Sequence, residues 1–463
     1  MKLRSLYENF FCINEIQTDV RLQWFMYVIA YNLFFFVASS WWQSNLVEGS
    51  SVVCPEYFQS CDQFKLFQPV SHSWGYWNFV SFLSSLLMGL VWAMATNSWV
   101  LGHLLLLILV VFKVLLVFVL SGLYLPSELF ITLPMILLLF SRHKRRGLEA
   151  LMVALYVSAG VMKLHEGWLS GSFFLTYSRG MPFIPDALIP LGTNLLVALE
   201  LAGSFFLLST NQLWRRTALV GFASLHLYSV SFVGPLLMTS VLPMIVILFS
   251  TSRSTEVCRV SKFTYAILLV IFFGNLLPFL IPGDHKITNE GEVFASNVFD
   301  AERVQIATIG ILRRDGSKEE KKIDSLGPHM RRPYPWWVLF ETKKICADTK
   351  VERVSMRIVA SHNALPFREI VNEPNACRLK YNLFKKNNWI KADGPVVGYM
   401  SKKDVSFLER LQIHPTPQRD PEPVVDFLRA HVDWLLALHL FLASGAFCLI
   451  VLLPWWRQRS SGT

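Results

Sequence analysis

The stretch WVLGHLLLLILVVFKVLLVFVLSG, residues 99–122, decides the class of fold. It is almost entirely apolar, and a helix of about 20 such residues crosses a hydrocarbon core of about 30 Å. The chain as a whole is 53% hydrophobic and only 16% charged, whereas a typical soluble protein is about 25% charged. The sequence therefore predicts a polytopic α-helical membrane protein whose first partner is the lipid bilayer.

Ten apolar runs of this kind predict about nine to ten transmembrane helices. They lie at 24–42, 75–96, 99–122, 126–141, 149–168, 188–209, 218–236, 238–250, 263–282 and 433–455. The run at 238–250 is short for a full crossing and follows Gly234-Pro235. It can therefore form one broken unit with the run before it.

Basic loops predict the orientation of these helices. RHKRR (142–146), LWRR (213–216), STSRSTEVCRVSK (250–262) and the tail WWRQRSS (455–461) all fall on the side of the N-terminus. Because basic loops are enriched on the cytoplasmic face, we expect both termini in the cytoplasm. The net charge of +10 is then an orientation signal, and no nucleic-acid partner is expected. A bacterial inner membrane and a eukaryotic endomembrane both stay open.

Residues 283–430 change character and predict a β-rich extracytoplasmic domain ahead of the last helix. Apolar and polar residues alternate in RVQIATIGI (303–311) and VERVSMRIVA (351–360), as in half-buried strands. Asp315-Gly316 is a favoured hairpin turn, and the charge run SKEEKK (317–322) reads as its solvated tip. The expected domains are a multi-span domain over 1–282, this domain over 283–430, and a helix with a cytoplasmic tail over 431–463.

Four of the seven cysteines fall on the predicted extracytoplasmic side, namely Cys54, Cys61, Cys346 and Cys377. They allow two disulfides with three possible connectivities, and Cys54–Cys61 is the simplest local pair. Reduced, packed thiols are the alternative. No C-x-x-C motif or His pair stands at ligand spacing, so no metal site is predicted.

Ionisable residues inside apolar runs mark candidate sites, because burying a charge in lipid is costly. Lys163 lies near the outer end of its run, in YVSAGVMKLHEGWLSG (156–171). One interpretation is a snorkelling lysine whose stem carries the ammonium to the interface. The other is a cavity wall, because small residues at 158–160 permit close helix packing and Tyr156 shares the lysine's helix face.

Two further polar positions lie in later apolar runs. His226 shares a helix face with Ser229, and Glu200 lies in the run before it. Hydrogen-bonded packing is the alternative for such a histidine. Lys113 lies within the run 99–122 and has no assigned partner. Together these residues indicate acid–base chemistry, because a desolvated lysine tends toward the neutral form that a general base requires.

The segment 156–171 resembles the signature of the vitamin K-dependent γ-glutamyl carboxylases, which belong to the HTTM (horizontally transferred transmembrane) domain group. The matching residues are Tyr156, Ala159, Gly160, Val161, Lys163, Leu164, Trp168 and Gly171. SLHLYSVSF (224–232) is similar to the family's histidine-bearing span, which follows a span with an acidic residue where Glu200 stands. The resemblance covers about residues 15–280 in order and architecture, followed by an external β-rich region as in the carboxylases.

The resemblance implies an enzyme that deprotonates reduced vitamin K, or another quinol, and lets it react with O2. The strong base so formed removes a γ-proton from a glutamate side chain of a peptide or protein substrate, and the carbanion captures CO2. Lys163 is then the base on the hydroquinone, and His226 is a second residue of the active site. The expected cavity residues are Tyr156, His165, Trp168, Glu200, Tyr228 and Ser229.

The chain differs from the family in its external region, which is much shorter than that of the animal enzymes, and at two motif positions. The carboxylases carry an Asn-His pair just before the fourth span, where LSGLYLPSELF (120–130) offers only serines and Glu128. The acidic residue expected two positions after Lys163 is His165. Two other functions therefore stay open: an HTTM paralogue with other quinone or oxygen chemistry, and a non-catalytic membrane transport or assembly protein.

Overall fold

The computed structural model describes most of the chain. The described residues are 2–44, 73–119, 125–176, 181–233, 236–250, 260–292, 295, 303–324, 334–362, 365–398, 427–428 and 430–452.

Every apolar run picked out from the sequence contains a helix. The helices of these runs are α3 (Val20–Ser44), α4 (Ser73–Ala95), α5 (Trp99–Val119), α6 (Leu125–Phe140), α7 (Lys144–Met162), α9 (Ile189–Ala198), α10 (Ser204–Phe206), α11 (Gln212–Val233), α12 (Leu236–Phe249), α13 (Lys262–Leu280) and α16 (Val432–Phe447). The others are α1 (Lys2–Phe11), α2 (Ile13–Thr18), α8 (Glu166–Leu169), α14 (His285–Thr288) and α15 (Pro335–Cys346).

Four helices among the described residues are long and apolar enough to cross a membrane, judged by length and composition. They are Val20–Ala38, Asp186–Phe206, Lys262–Leu280 and Val432–Ile450. Four shorter apolar helices accompany them, at Val80–Ala95, Trp99–Val114, Phe130–Phe140 and Met238–Phe249. A helical fold with candidate membrane-spanning helices and a separate antiparallel sheet is thus present.

The chain divides into two compact units. The helical unit comprises Met1–Val157, Ala198–Phe272 and Phe441–Thr463, and the mixed unit comprises Ser158–Val197 and Phe273–Leu440. The predicted β-rich segment 283–430 lies within the mixed unit.

A buried carboxylate organises one end of the helical unit. Glu149, near the start of α7, lies within 3.8 Å of Arg215 and within 3.4 Å of Arg145 and Arg146. Arg215 also donates hydrogen bonds to the carbonyls of Leu248 and Phe249. These are the last carbonyls of α12, which have no partner within their own helix. Basic residues of RHKRR and LWRR therefore cap and join helix ends here.

The mixed unit contains a five-stranded antiparallel sheet in the order β2-β1-β3-β4-β5. The strands are β1 (Arg303–Arg313), β2 (Lys318–Asp324), β3 (Val351–His362), β4 (Phe367–Glu373) and β5 (Val396–Gly398). β1 and β2 form the predicted hairpin, and Gly316 in its turn has φ 84°. Glycine suits this position, because a side chain would strain that backbone conformation.

Burial on both faces of the sheet explains its apolar pattern. Val354, Met356 and Ile358 of β3 point into one core, which also includes Val338 and Leu339 of α15. Val304 and Ile306 of β1 belong to a smaller cluster with Val359 and Phe367. Because successive strand residues point to opposite faces, the first half of β1 and the last half of β3 are buried on both faces, whereas Arg353, Ser355 and Arg357 of β3 are exposed. The predicted alternation on β3 is confirmed.

The charge run SKEEKK forms most of an edge strand and extends beyond the hairpin tip. Lys318–Lys322 are exposed and lie within β2, which pairs only with β1 among the described strands. Charged side chains on an edge strand discourage pairing with another chain. The run was predicted to be solvated, and its residues are indeed exposed.

One disulfide joins two of the four predicted cysteines. Cys346, the last residue of α15, is bonded to Cys377 in the short helical turn Ala376–Arg378. Lys343 donates a hydrogen bond of 2.8 Å to the Cys377 carbonyl beside it. Cys54 and Cys61 lie outside the described residues, so their pairing stays a prediction.

Removing this disulfide should destabilise the sheet. The bond joins residues 31 positions apart, and a native cross-link of this kind stabilises by about 2–4 kcal/mol, mainly by constraining the unfolded chain. We expect the double variant Cys346→Ser/Cys377→Ser to lose that much protection against amide hydrogen exchange in β3 and β4. Cys448→Ser, which removes an exposed free thiol, is the control. Unchanged protection in the double variant would contradict the prediction.

Candidate functional site

The backbone turns sharply at Lys163. α7 ends at Met162, and the next amides, of Lys163 and Leu164, donate to the carbonyls of Gly160 and Val161. His165 then begins the short helix α8, because its Nδ1 accepts a hydrogen bond of 3.2 Å from the Gly167 amide. A side-chain acceptor at this position satisfies one of the amides that a helix start leaves without a partner. His165 is therefore a helix cap.

The amine of Lys163 is enclosed by protein. The residue is 3% exposed, and its Nζ lies 5.4 Å from the centre of the Trp168 ring. It also lies 3.4 Å from the Ala159 carbonyl oxygen, one helical turn back. A snorkelling lysine exposes its ammonium to water or headgroups, whereas this one faces an aromatic ring and a carbonyl.

Trp168 forms the centre of an aromatic cluster. Its ring stacks on Phe173 at 4.8 Å between centroids and meets Phe174 edge-on at 5.6 Å. All three side chains are buried. The indole N–H of Trp168 has no hydrogen-bond acceptor among the described residues. A buried donor without an acceptor is costly, so this cluster combines a large apolar surface with one unused polar group.

The turn that carries Trp168 packs tightly against the start of α9. Gly171 has φ +78°, and a Cβ there would lie 3.1 Å from the Pro190 nitrogen. Asn194 of α9 donates 2.7 Å hydrogen bonds to the carbonyls of Leu169 and Pro190. Gly171 thus allows the turn to approach the start of α9 closely, and the hydrogen bonds of Asn194 stabilise that contact.

Asn194 and His439 of α16 were not among the predicted site residues, and His439 Nε2 lies 2.9 Å from Asn194 Oδ1. A signal for both was present. Each is a polar side chain within an apolar run, and such residues face protein interiors and find partners there.

A second group of predicted residues meets inside the helical unit. The hydroxyl of Tyr156 lies 2.5 Å from His226 Nε2, and both side chains are buried. Phe222 packs on the Tyr156 ring with 4.3 Å between centroids. Glu200 is also buried, in a π-helical turn at Leu199–Gly203 of the same unit. π-Turns of this kind occur frequently at functional sites.

Ser229 and Tyr228 contribute less directly to this group. Ser229 donates a 2.8 Å hydrogen bond to the His226 carbonyl, one turn back in α11. Such a bond within one helix is a common packing feature. Tyr228 is half-buried. Lys113 is buried elsewhere in the helical unit, with Nζ 4.7 Å from the Phe36 ring centre.

The predicted site residues thus form two groups, one in each unit. The mixed unit holds Lys163, His165 and Trp168, and the helical unit holds Tyr156, Glu200, His226, Tyr228 and Ser229. In the part of the chain that the structure describes, no three His, Cys, Asp or Glu side chains are grouped so that they could hold a metal ion.

Comparisons with known proteins give no relative. No protein-family model matches the chain, and neither a curated protein nor a solved structure matches it significantly.

Proposed function

We propose that this chain is a multi-pass membrane enzyme in which Lys163 deprotonates a lipid-soluble hydroquinone, such as reduced vitamin K. The reaction of that hydroquinone with O2 then drives carboxylation of a glutamate side chain in a peptide or protein. The observation that carries the proposal is the Lys163 amine, enclosed beside Trp168 within a segment that resembles the γ-glutamyl carboxylase signature.

The proposed topology has both termini in the cytoplasm and residues 283–430 on the opposite side. Four helices of sufficient length and apolar composition support a multi-pass chain. The Cys346–Cys377 bond supports an extracytoplasmic position for the sheet, because structural disulfides persist in oxidising compartments. A peptide substrate would then meet the enzyme from the outside.

The mixed unit offers groups that fit a hydroquinone. Phe173, Phe174 and Trp168 form a buried aromatic cluster, and a planar quinol ring would pack favourably on these rings once it displaces one of them from its neighbours. The Trp168 indole N–H, which has no acceptor among the described residues, would gain one from a quinol oxygen. When bound, the quinol supplies an ionisable hydroxyl and reactivity toward O2.

The surroundings of Lys163 favour the product of proton transfer. A base on the hydroquinone takes up a proton at Nζ and becomes an ammonium ion. The Trp168 ring and the Ala159 carbonyl oxygen both attract that cation, and a desolvated cation–π contact is worth about 2 kcal/mol. Interactions that strengthen as charge develops lower the barrier and do not merely tighten binding.

The group around His226 is assigned a second proton-handling role. Tyr156 and His226 share one short hydrogen bond away from solvent, and Glu200 is a buried carboxylate of the same unit. Such a set can accept and pass a proton within the helical unit. His226 is accordingly the second catalytic residue of the proposal.

One assay distinguishes this function from its rivals. Purified protein in lipid nanodiscs receives reduced vitamin K, O2, a glutamate-containing peptide and labelled CO2, with a matched glutamine peptide as control. We expect hydroquinone-dependent label in the glutamate peptide only.

The other outcomes of this assay overturn the carboxylase assignment. Hydroquinone oxidation without incorporation would favour the second candidate, an enzyme with other quinone or oxygen chemistry. The absence of an Asn-His pair in residues 120–130 favours that candidate. Neither activity would favour a non-catalytic transport or assembly protein.

A further inference from the structure

We propose that Asn194 and His439 are positioning residues that hold the Lys163–Trp168 pair in place, so that α16 controls a site far away in sequence. The site's chemical role rests on the proposed function, whereas the positioning itself can be tested without any activity.

The Asn194 amide fixes the direction of the contact. Its Nδ2 donates to the carbonyls of Leu169 and Pro190, each at 2.7 Å. The amide nitrogen is therefore committed, and Oδ1 is the atom that faces His439. Because Oδ1 can only accept a hydrogen bond, the proton in this contact belongs to His439 Nε2.

This assignment also fixes the tautomer of the neutral histidine ring. With the proton on Nε2, the neutral ring carries none on Nδ1. Nδ1 is buried and has no hydrogen-bond partner among the described residues. The contact with Asn194 is thus the polar interaction that the structure gives this buried ring. A buried ring with one polar contact is oriented by that contact.

The hydrogen bond from Asn194 to Leu169 links this contact to the candidate base, Lys163. Leu169 is the last residue of α8, and its carbonyl is among those that a helix leaves without an internal partner. Asn194 accordingly caps α8 directly after Trp168. Trp168 in turn forms the aromatic wall against which the Lys163 amine lies. The hydrogen bonds therefore run from α16 through α9 to the turn that carries Trp168.

The tight packing at Gly171 leaves little room for compensation. The backbone of this turn already lies against Pro190 so closely that only glycine fits. If Asn194 or His439 loses its hydrogen bond, the turn can relax only away from α9. Trp168 then moves with it, and the Lys163 amine loses its enclosure.

The chemical reactivity of Lys163 tests this inference. Reductive methylation of the intact protein in nanodiscs, read by mass spectrometry, reports how often each lysine amine is accessible. We expect Asn194→Leu and His439→Phe, which keep side-chain volume, to raise the methylation rate of Lys163 about tenfold, the effect of losing one hydrogen bond. His439→Gln, whose amide can still donate to Asn194 Oδ1, should keep the methylation rate of Lys163 at the wild-type value.

Two controls separate positioning from loosening of the whole protein. Lys113 and Lys286 are also buried and should stay protected in every variant. His431→Ala, at an exposed position near the start of the last helix, should change nothing. An unchanged Lys163 rate in both variants would overturn the inference, and so would faster labelling of all three lysines.

Measuring hydroquinone turnover as well as methylation distinguishes a failure of this inference from a failure of the proposed function. If the enzyme turns over hydroquinone, the positioning variants should lower kcat more than they raise KM, because the base is misplaced after substrate binds. If no turnover occurs in the wild type, the methylation result still stands or falls by itself.

Discussion

Lys163→Ala is expected to lower the rate of hydroquinone-dependent carboxylation by a factor of about 10²–10⁴, the usual contribution of a general base. The amine is the proton acceptor in the proposed reaction, and the alanine side chain leaves no basic atom beside Trp168. Hydroquinone oxidation should fall by the same factor, because the proton is removed before O2 reacts. The measurement is the initial rate of both processes in nanodiscs at saturating hydroquinone.

Two companion variants make this result specific. Lys163→Arg keeps a cation and a long stem, but the guanidinium stays protonated in proteins and cannot act as a base. It should be as inactive as Lys163→Ala. Lys344→Ala removes a partly exposed lysine of α15 and should retain full activity. Wild-type rates in the Lys163→Arg variant would contradict the assignment of a base.

Arg303→Ala is expected to destabilise the sheet by about 3–5 kcal/mol, because it leaves a buried carboxylate without its main partner. Arg303 begins β1, and its guanidinium lies 2.7 Å from Glu292 and donates to the Lys286 carbonyl at 2.8 Å. The side chains of Arg303 and Glu292 are both buried, and Lys286 Nζ is 3.7 Å from Glu292. Hydrogen exchange of β1 and β3 amides in the intact protein measures the loss.

Arg313 at the other end of β1 is the matched control. It pairs with Glu319 at 2.9 Å, but both side chains are substantially exposed, and solvent screens such pairs. Arg313→Ala should therefore leave β1 and β3 protection close to that of the wild type. Equal losses for the two variants would show that burial does not set the energy of these ion pairs.

The helices were predictable because their signal is local. An apolar run such as 99–122 specifies a helix whatever its neighbours are, and α5 (Trp99–Val119) follows that run closely. The end of α7 could not be predicted from the apolar run in the same way. The apolar pattern extends to residue 168, whereas the helix stops at Met162, because His165 caps a new turn through a side-chain hydrogen bond.

The sheet was predicted by alternation, but on β1 the alternation identified only the face of Val304 and Ile306 and missed the face that points into the main core. A strand covered on one face alternates, but β1 also carries buried Ala307, Ile309 and Ile311 opposite Val304 and Ile306. Each face is covered by segments distant in sequence: Phe367 packs with Val304 and Ile306, and Val338 and Leu339 of α15 belong to the core of the other face. A pattern read along a single strand holds no information about them.

The residues of the candidate site that are close in sequence could be predicted together, but the contacts between distant residues could not. Lys163 and Trp168 lie five residues apart, so one segment contained both. The contact between Tyr156 and His226 spans 70 residues, and sequence reasoning placed both in a cavity without pairing them. Asn194 and His439 are 245 residues apart, and only the folded structure brings them together.

Chemical rescue of the Lys163→Ala variant is the sharpest test of whether the Lys163 amine is the base that deprotonates the hydroquinone. The truncated side chain leaves space in which a small primary amine such as ethylamine can take the place of the lost Nζ. We expect a rate near zero without amine, which rises with the concentration of neutral ethylamine and is not restored by ethanol at the same concentration. A Lys163→Ala rate equal to that of the wild type without any amine would contradict this expectation.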